Sequence, residues 1–200
     1  EDEELRRIAV AAGYSYRPSG DPALLREVLS FPMLRDEGPQ DAEHDYTISR
    51  VLSREAEGTA IRLFQLDHRS EAGRNEQVPS SGFSSQDVVL IRFAGRLPEF
   101  TLRPVLLGDR IGAALGQRTI TFDHDPAFAK RYVLEGDDAG AIRSLFSDRL
   151  RSLLLSVPAR CTFECRGGAL AFSCRTMQSR ITPENVRELI QDASQLLSII

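Results

Sequence analysis

A chain of 200 residues with 42% hydrophobic and 27% charged side chains has the composition of a globular protein with its own core. That balance excludes a disordered polyelectrolyte, and no run reaches the roughly 18–20 apolar residues of a membrane span. A net charge of −4 excludes the strongly basic footprint of nucleic-acid binding, so no nucleic-acid partner is expected.

The charge is uneven: residues 1–45 hold eleven acids and five arginines, and residues 139–200 hold five acids and eight arginines. The chain opens on Glu1 with EDEE, which does not read as the basic-then-apolar start of a signal peptide. Three cysteines do not make the disulfide framework of a secreted module.

In chain order, EDEELRRIAVAA sets Leu5, Ile8, Ala9 and Ala12 at helical spacing behind an acidic first turn, which predicts a helix. GYSYRPSG breaks the pattern. Asp21 before Pro22 is a cap with a first-turn proline, so DPALLREVLSF predicts a second helix and an N-terminal helical subregion over 1–40. From Asp45 the pattern turns to strands, with DYTISRVL and TAIRLFQL flanking SREAEG as a hairpin loop. Residues 67–86 are polar and rich in turn formers, which predicts a long mobile loop. Strands resume at DVVLIRFAG and FTLRPVLL, and RTITFD follows the glycine-punctuated connector GDRIGAALGQ.

GDDAGAIRSLFSDRLRSLLLSV aligns Ile142, Leu145, Phe146, Leu150, Leu153, Leu154 and Val157 on one side of a single helix. RCTFECRGGALAFSCR is a hairpin about a two-residue Gly167-Gly168 turn, which opposes Arg166 to Ala169, Cys165 to Leu170, Phe163 to Phe172 and Cys161 to Cys174. The cysteine-bearing face is expected to be core, and the face with Thr162, Glu164, Arg166 and Ser173 wet. Cys161 and Cys174 are read as buried free thiols, although so close a pair also has the geometry for a disulfide. The last helix, TPENVRELIQDASQLLSII, is expected to be capped by Thr182 with Pro183 in its first turn. Leu189, Ala193, Leu197 and Ile200 form its core stripe, and Leu196 and Ile199 are the residues that would widen it into an association surface. The whole predicts a single α+β domain over 1–200, mostly antiparallel sheet with helices at the N- and C-terminal ends.

Two sets of residues stand out as candidate sites. Asp123, His124 and Asp125 are consecutive, but adjacent residues of a strand point to opposite faces and cannot simply converge on one ion. Asp125 before Pro126 suits a turn or cap, so the segment reads as a capped turn held by Phe122 and Phe128. Arg143, Arg149 and Arg151 form a candidate basic surface for anionic headgroups or an acidic protein, against the plainer reading of a solvated helix face. His44 and His68 each neighbour an aspartate without ligand spacing, and the cysteines carry no nucleophile signature. No catalytic residue, metal or cofactor is assigned.

GTAIRLFQLDHR, LPEFTLRP and ITFDHDPAFAKRYVLEGDDAGAIRSLF, in that order, resemble a family of uncharacterised bacterial proteins. The residues carrying the likeness are Pro98, Phe100, Phe122, Pro126, Phe128, Tyr132, Leu134, Asp137, Ile142 and Phe146, within residues 58–150. The resemblance implies a cytoplasmic domain preceded by membrane helices, with no activity attached. The expected function is a non-catalytic binding or assembly module at the cytoplasmic face of a bacterial membrane, tethered through a segment outside this chain and engaging a protein partner or itself. The alternatives are a small-molecule sensor with its pocket between sheet and terminal helices, or an enzyme using Asp-His neighbours such as Asp123 and His124.

Overall fold

The computed structural model describes residues 1–35, 43–56, 58–71, 81–106, 119–156, 161–174 and 180–200, with backbone only at 43, 44, 70, 71 and 81–83. In order these form α1 (Asp2–Ala11), β1 (Ser15–Ser19), α2 (Pro22–Val28), a 3-10 turn (Pro32–Leu34), β2 (Glu43–Ala56), β3 (Thr59–Glu71), β4 (Ser81–Arg92), β5 (Phe100–Pro104), α3 (Pro126–Arg131), β6 (Tyr132–Glu135), α4 (Ala139–Leu145), α5 (Asp148–Ser156), β7 (Cys161–Arg166), β8 (Ala169–Cys174) and α6 (Val186–Leu197). The strands make one sheet in the order β1-β2-β3-β4-β8-β7-β5-β6, and every described pairing is antiparallel. The architecture is therefore α+β with helices at both ends, as the sequence predicts.

Apolar residues of alternating parity split the sheet's burial between two faces. Leu52, Ile61, Leu63, Val89, Ile91, Phe163 and Phe172 pack with Leu5 and Ile8 of α1, Phe128, Ile142, Phe146, Leu150, Leu154 and Leu196. Val51, Phe64, Leu66, Val88, Leu90 and Ala171 pack on the other side with Leu24, Val28, Phe31 and Leu34. Over residues 1–35 the helices of the predicted N-terminal subregion are interrupted by a strand. β1 joins the sheet through Ser15↔Ser53 to Ser19↔Ser49, and α1 and α2 cover opposite faces.

This second cover corrects the hairpin. Its register is as expected, from Arg166↔Ala169 through Cys161↔Cys174, and Gly167 and Gly168 take φ of 57° and 78° as a primed turn requires. The face expected to be wet is wet only at the turn, where Arg166 is exposed: Thr162 is half-buried, and Glu164 and Ser173 are each 4% exposed. Glu164 survives there because its Oε2 accepts from the Met33 amide at 3.1 Å and its Oε1 meets Arg166 at 3.3 Å.

Cys161 and Cys174 are joined as a disulfide with Cα atoms 3.9 Å apart, which replaces the free-thiol reading, and Cys165 remains a buried thiol. Closing a loop of this size is worth about 3 kcal/mol in the chain-entropy picture. Unfolded, unreduced protein should accept one alkylating group, and reduced protein three. Three without reduction would mean that the crosslink does not form.

Other expectations shift at element ends. The ladder between β3 and β4 runs out to Glu71↔Ser81, so most of the predicted loop 67–86 is strand, and residues 72–80 lie outside the described residues. The β2–β3 turn shortens likewise to two residues, with pairing through Ala56↔Thr59 and Gly58 at φ 77°. RTITFD contributes a single bridge, Thr119↔Glu135, and the connector GDRIGAALGQ is outside the described residues.

The single helix over 139–157 is two. Phe146 leaves helical geometry at ψ 59°, and Ser147 Oγ restarts the chain by accepting from the Leu150 amide at 3.4 Å. α6 begins at Val186 rather than beside Thr182: Asn185 Oδ1 accepts from the Thr182 amide at 2.8 Å and ties the lead-in segment into its own turn. Leu196 is 5% exposed and belongs to the core, not to an association surface.

Candidate functional site

Asp123 and His124 occupy an exposed turn, and Asp125 is the cap of α3, its Oδ1 accepting from the Phe128 amide at 3.0 Å. Phe122 and Phe128 meet edge to face at 5.7 Å, so the turn is held by its flanking rings as the sequence suggests. The three polar residues do not converge.

Arg151 departs from its predicted role. Only 12% of its side chain is exposed, and the guanidinium lies 4.2 Å over the Phe122 ring. Its Nε donates to Asp125 Oδ2 at 2.8 Å, Nη2 to Asp148 Oδ1 at 2.5 Å and Nη1 to the Phe146 carbonyl at 2.6 Å. The hydrogen bond from Arg151, with the Phe128 amide second, holds the Asp125 carboxyl below its ordinary range. Arg151 therefore joins the two predicted sets, pinning α3 to the α4–α5 joint, and only Arg143 and Arg149 remain exposed for a partner.

A different group of polar side chains is buried in the sheet. Gln65 of β3 and Asp87 of β4 are registered partners, 6% and 8% exposed, on the face that carries Leu63 and Val89. Asp67 lies two residues along the same face, accepting from Gln65 Nε2 at 2.7 Å, Ser85 Oγ at 2.7 Å and Ser49 Oγ at 3.3 Å. Beside them β2 carries a bulge between Ser49 and Leu52, where Arg50 takes φ 55°, the sole non-glycine positive φ among the described residues. That bend directs the guanidinium to the Ile181 carbonyl at 2.5 Å and to Glu1 at 3.0 Å.

From above, Asn185 Nδ2 donates to Asp87 Oδ2 at 3.3 Å and to the Arg180 carbonyl at 2.9 Å. Two buried acceptors, Asp87 Oδ1 and Gln65 Oε1, have no hydrogen-bond partner among the described residues. Burial, helped by the nearby Asp67 charge and opposed by Asn185 and Arg50, pushes the Asp87 carboxyl up to about 6. A carboxyl in that range exchanges its proton near neutral pH. Sequence reasoning passed over Asp87, although it shares the parity of Val89 and Ile91 and is thus an acid on an apolar stripe.

The cavity between sheet, α5 and α6, lined by Leu153, Phe163, Phe172, Cys174 and Asp192, has about 20 Å³, room for about one water. Among the described residues no cluster of three or more His, Cys, Asp or Glu is placed to hold a metal ion. No described helix is long and apolar enough to cross a membrane.

The chain is thus an α+β protein built on one antiparallel eight-stranded sheet, covered by helices on one face and by α2 and the 3-10 turn on the other. Among solved structures, the crystal structure of the mycobacterial trehalose monomycolate transport factor A, TtfA, superposes with a TM-score of 0.54 at 10% identity, over 100% of this chain and 95% of that one. At that identity the likeness is one of fold. No protein-family model matches the sequence, and no curated protein matches it.

Proposed function

We propose that this domain is a non-catalytic binding or assembly module at the cytoplasmic face of a bacterial membrane. The observation that carries this reading is the likeness of fold to TtfA, which extends along the whole chain. That neighbour is named as a transport factor, and what is proposed here is a binding or assembly role on the same fold, not its cargo. Placement at a membrane is taken from the resemblance of residues 58–150 to bacterial proteins with N-terminal membrane helices. Exposed Arg143 and Arg149 would then face an anionic partner surface, where rim charges chiefly set the rate of encounter.

The test is capture on the immobilised domain from detergent-solubilised membranes and, separately, from cytosol of the source bacterium. The expected result is a membrane protein enriched about tenfold or more over a blank support, as a free-energy gain of about 1.4 kcal/mol gives, and displaced by excess free domain. A double variant Arg143→Glu, Arg149→Glu should weaken that capture. Enrichment confined to cytosol, or none that the free domain displaces, would count against the reading.

A further inference from the structure

Asp87 Oδ1 and Gln65 Oε1 are both acceptors, both buried and both unpartnered, and their residues face each other across β3 and β4. Registered cross-strand side chains start only about 5 Å apart at Cβ, within reach of a hydrogen bond between an Asp and a Gln. Two carbonyl-type oxygens that meet across such a pair repel unless a hydrogen lies between them. One proton on Asp87 Oδ1 satisfies both, while Oδ2 stays free to accept from Asn185 as it does here. Loss of that proton leaves two buried acceptors without donors and a charge in a poorly solvated place.

What lies over this pair is the segment 180–185, which leads into α6. Its anchors on the sheet are the two polar contacts at this spot, Arg50 to the Ile181 carbonyl and Asn185 to Asp87, together with the fully buried Ile181 side chain. We propose that Asp87 is a proton-operated latch on the C-terminal helix: protonated, it donates to Gln65 and the 180–185 segment stays docked, and ionised, it is relieved by opening of that segment to water. The proton exchanges with solvent, and no other group needs to take it up.

The groups that face Asp87 set the sense of the switch. From β2 comes the Arg50 guanidinium, whose charge is shared with Glu1, the residue ahead of α1. From β3 comes Asp67, already holding three donors, and from β4 Ser85, which is one of them. The segment above contributes Asn185 and the Arg180 carbonyl, with Glu184 exposed beside them. On the β8 side the ladder ends at Val88↔Ser173, next to Cys174, which is uncharged in its disulfide. α6 has a carboxyl of its own raised by burial and by Glu188, Asp192, so that residue must be controlled for.

The experiment is hydrogen exchange read by mass spectrometry on peptides covering 186–197, at pH 5 and pH 7.5, corrected for the intrinsic pH dependence of exchange. Opening coupled to loss of that proton should rise about tenfold per pH unit between the ordinary carboxyl range and about pH 6 and level off above it, so α6 of the unmodified protein should exchange about tenfold faster at pH 7.5 than at pH 5. Asp87→Asn, which keeps the shape and supplies a permanent N–H toward Gln65, should remove that difference, and Asp192→Asn should keep it. Exchange independent of pH would mean that an internal water donates to both oxygens, and would overturn the latch. So would a pH dependence that survives in Asp87→Asn or disappears in Asp192→Asn.

Discussion

A Phe146→Ala protein is expected to lose about 3–5 kcal/mol of stability, the range for deleting a buried aromatic ring whose surroundings cannot collapse into the gap. Phe146 is 1% exposed and meets Phe100 at 5.0 Å edge to face, Phe128 at 6.1 Å and Phe122 at 6.5 Å. Those rings come from β5, α3 and the turn before α3, so collapse would have to move three elements at once. Phe146 also ends α4, and its carbonyl is one of the three acceptors of Arg151. The chain breaks its helix here because the ring must turn inward while the carbonyl is taken by a side chain rather than by the next turn.

Chemical denaturation of Phe146→Ala beside Phe146→Leu separates the contributions. The leucine variant keeps most of the volume and should cost less than about 1.5–2 kcal/mol. Arg151→Met keeps the stem packed near Phe122 but removes all three hydrogen bonds, for an expected loss of about 1–3 kcal/mol, part of it from the Phe146 carbonyl left without a donor. A Phe146→Ala protein within about 1 kcal/mol of the unmodified one would show that the aromatic cluster does not hold the joint.

Local rules carried the sequence reading where the physics is local. The Gly167-Gly168 turn fixed an entire hairpin register, because a two-residue primed turn leaves one way to pair the strands. Asp21 and Asp125 read as helix caps from the proline that follows each, and both accept from the amide three residues on. What the sequence hid depends on contacts between distant segments. Glu164 reads as a solvent-facing strand residue until Met33, 131 positions away, brings its amide to the carboxylate.

Arg151 reads as a basic surface until the helix break places it between Asp125 and Asp148. Residues 67–71 and 81–86 read as loop because Asp, Ser, Arg and Gly have low strand propensity, yet the ladder from β2 through β4 overrides propensity residue by residue. Asp87 is the clearest case. Its neighbours in sequence, SSQ and VVL, suggest the start of a strand, and the burial that changes its chemistry is completed by Asn185, 98 positions downstream.

Asp87→Asn is expected to make the protein more stable at neutral pH, an unusual outcome for a substitution at a buried, hydrogen-bonded position. The carboxyl is raised to about 6 from an ordinary 3.8, so the folded chain holds its proton more tightly than the unfolded chain does. The stability this gives is fully present below about pH 4, declines as the pH rises, and is gone above about pH 6, where the folded protein bears the ionised group. Converted at about 1.4 kcal/mol per pH unit, the gap corresponds to about 3 kcal/mol between the two ends of the titration.

Asparagine stays neutral throughout, so the difference in unfolding free energy between variant and unmodified protein should grow from near zero at pH 4 to about 3 kcal/mol in favour of the variant at pH 8. The other shifted acids pull in the opposite direction. Asp125, lowered chiefly by Arg151, and Asp21, lowered chiefly by the Leu24 amide, contribute stability that is lost as the pH falls. They are common to both proteins and cancel in the difference. Urea denaturation of the pair from pH 4 to pH 8 measures it directly. A constant difference would mean that Asp87 ionises at its ordinary pH despite its burial. A difference that shrinks with rising pH would mean that the Arg50 charge, which lowers the Asp87 carboxyl, outweighs burial.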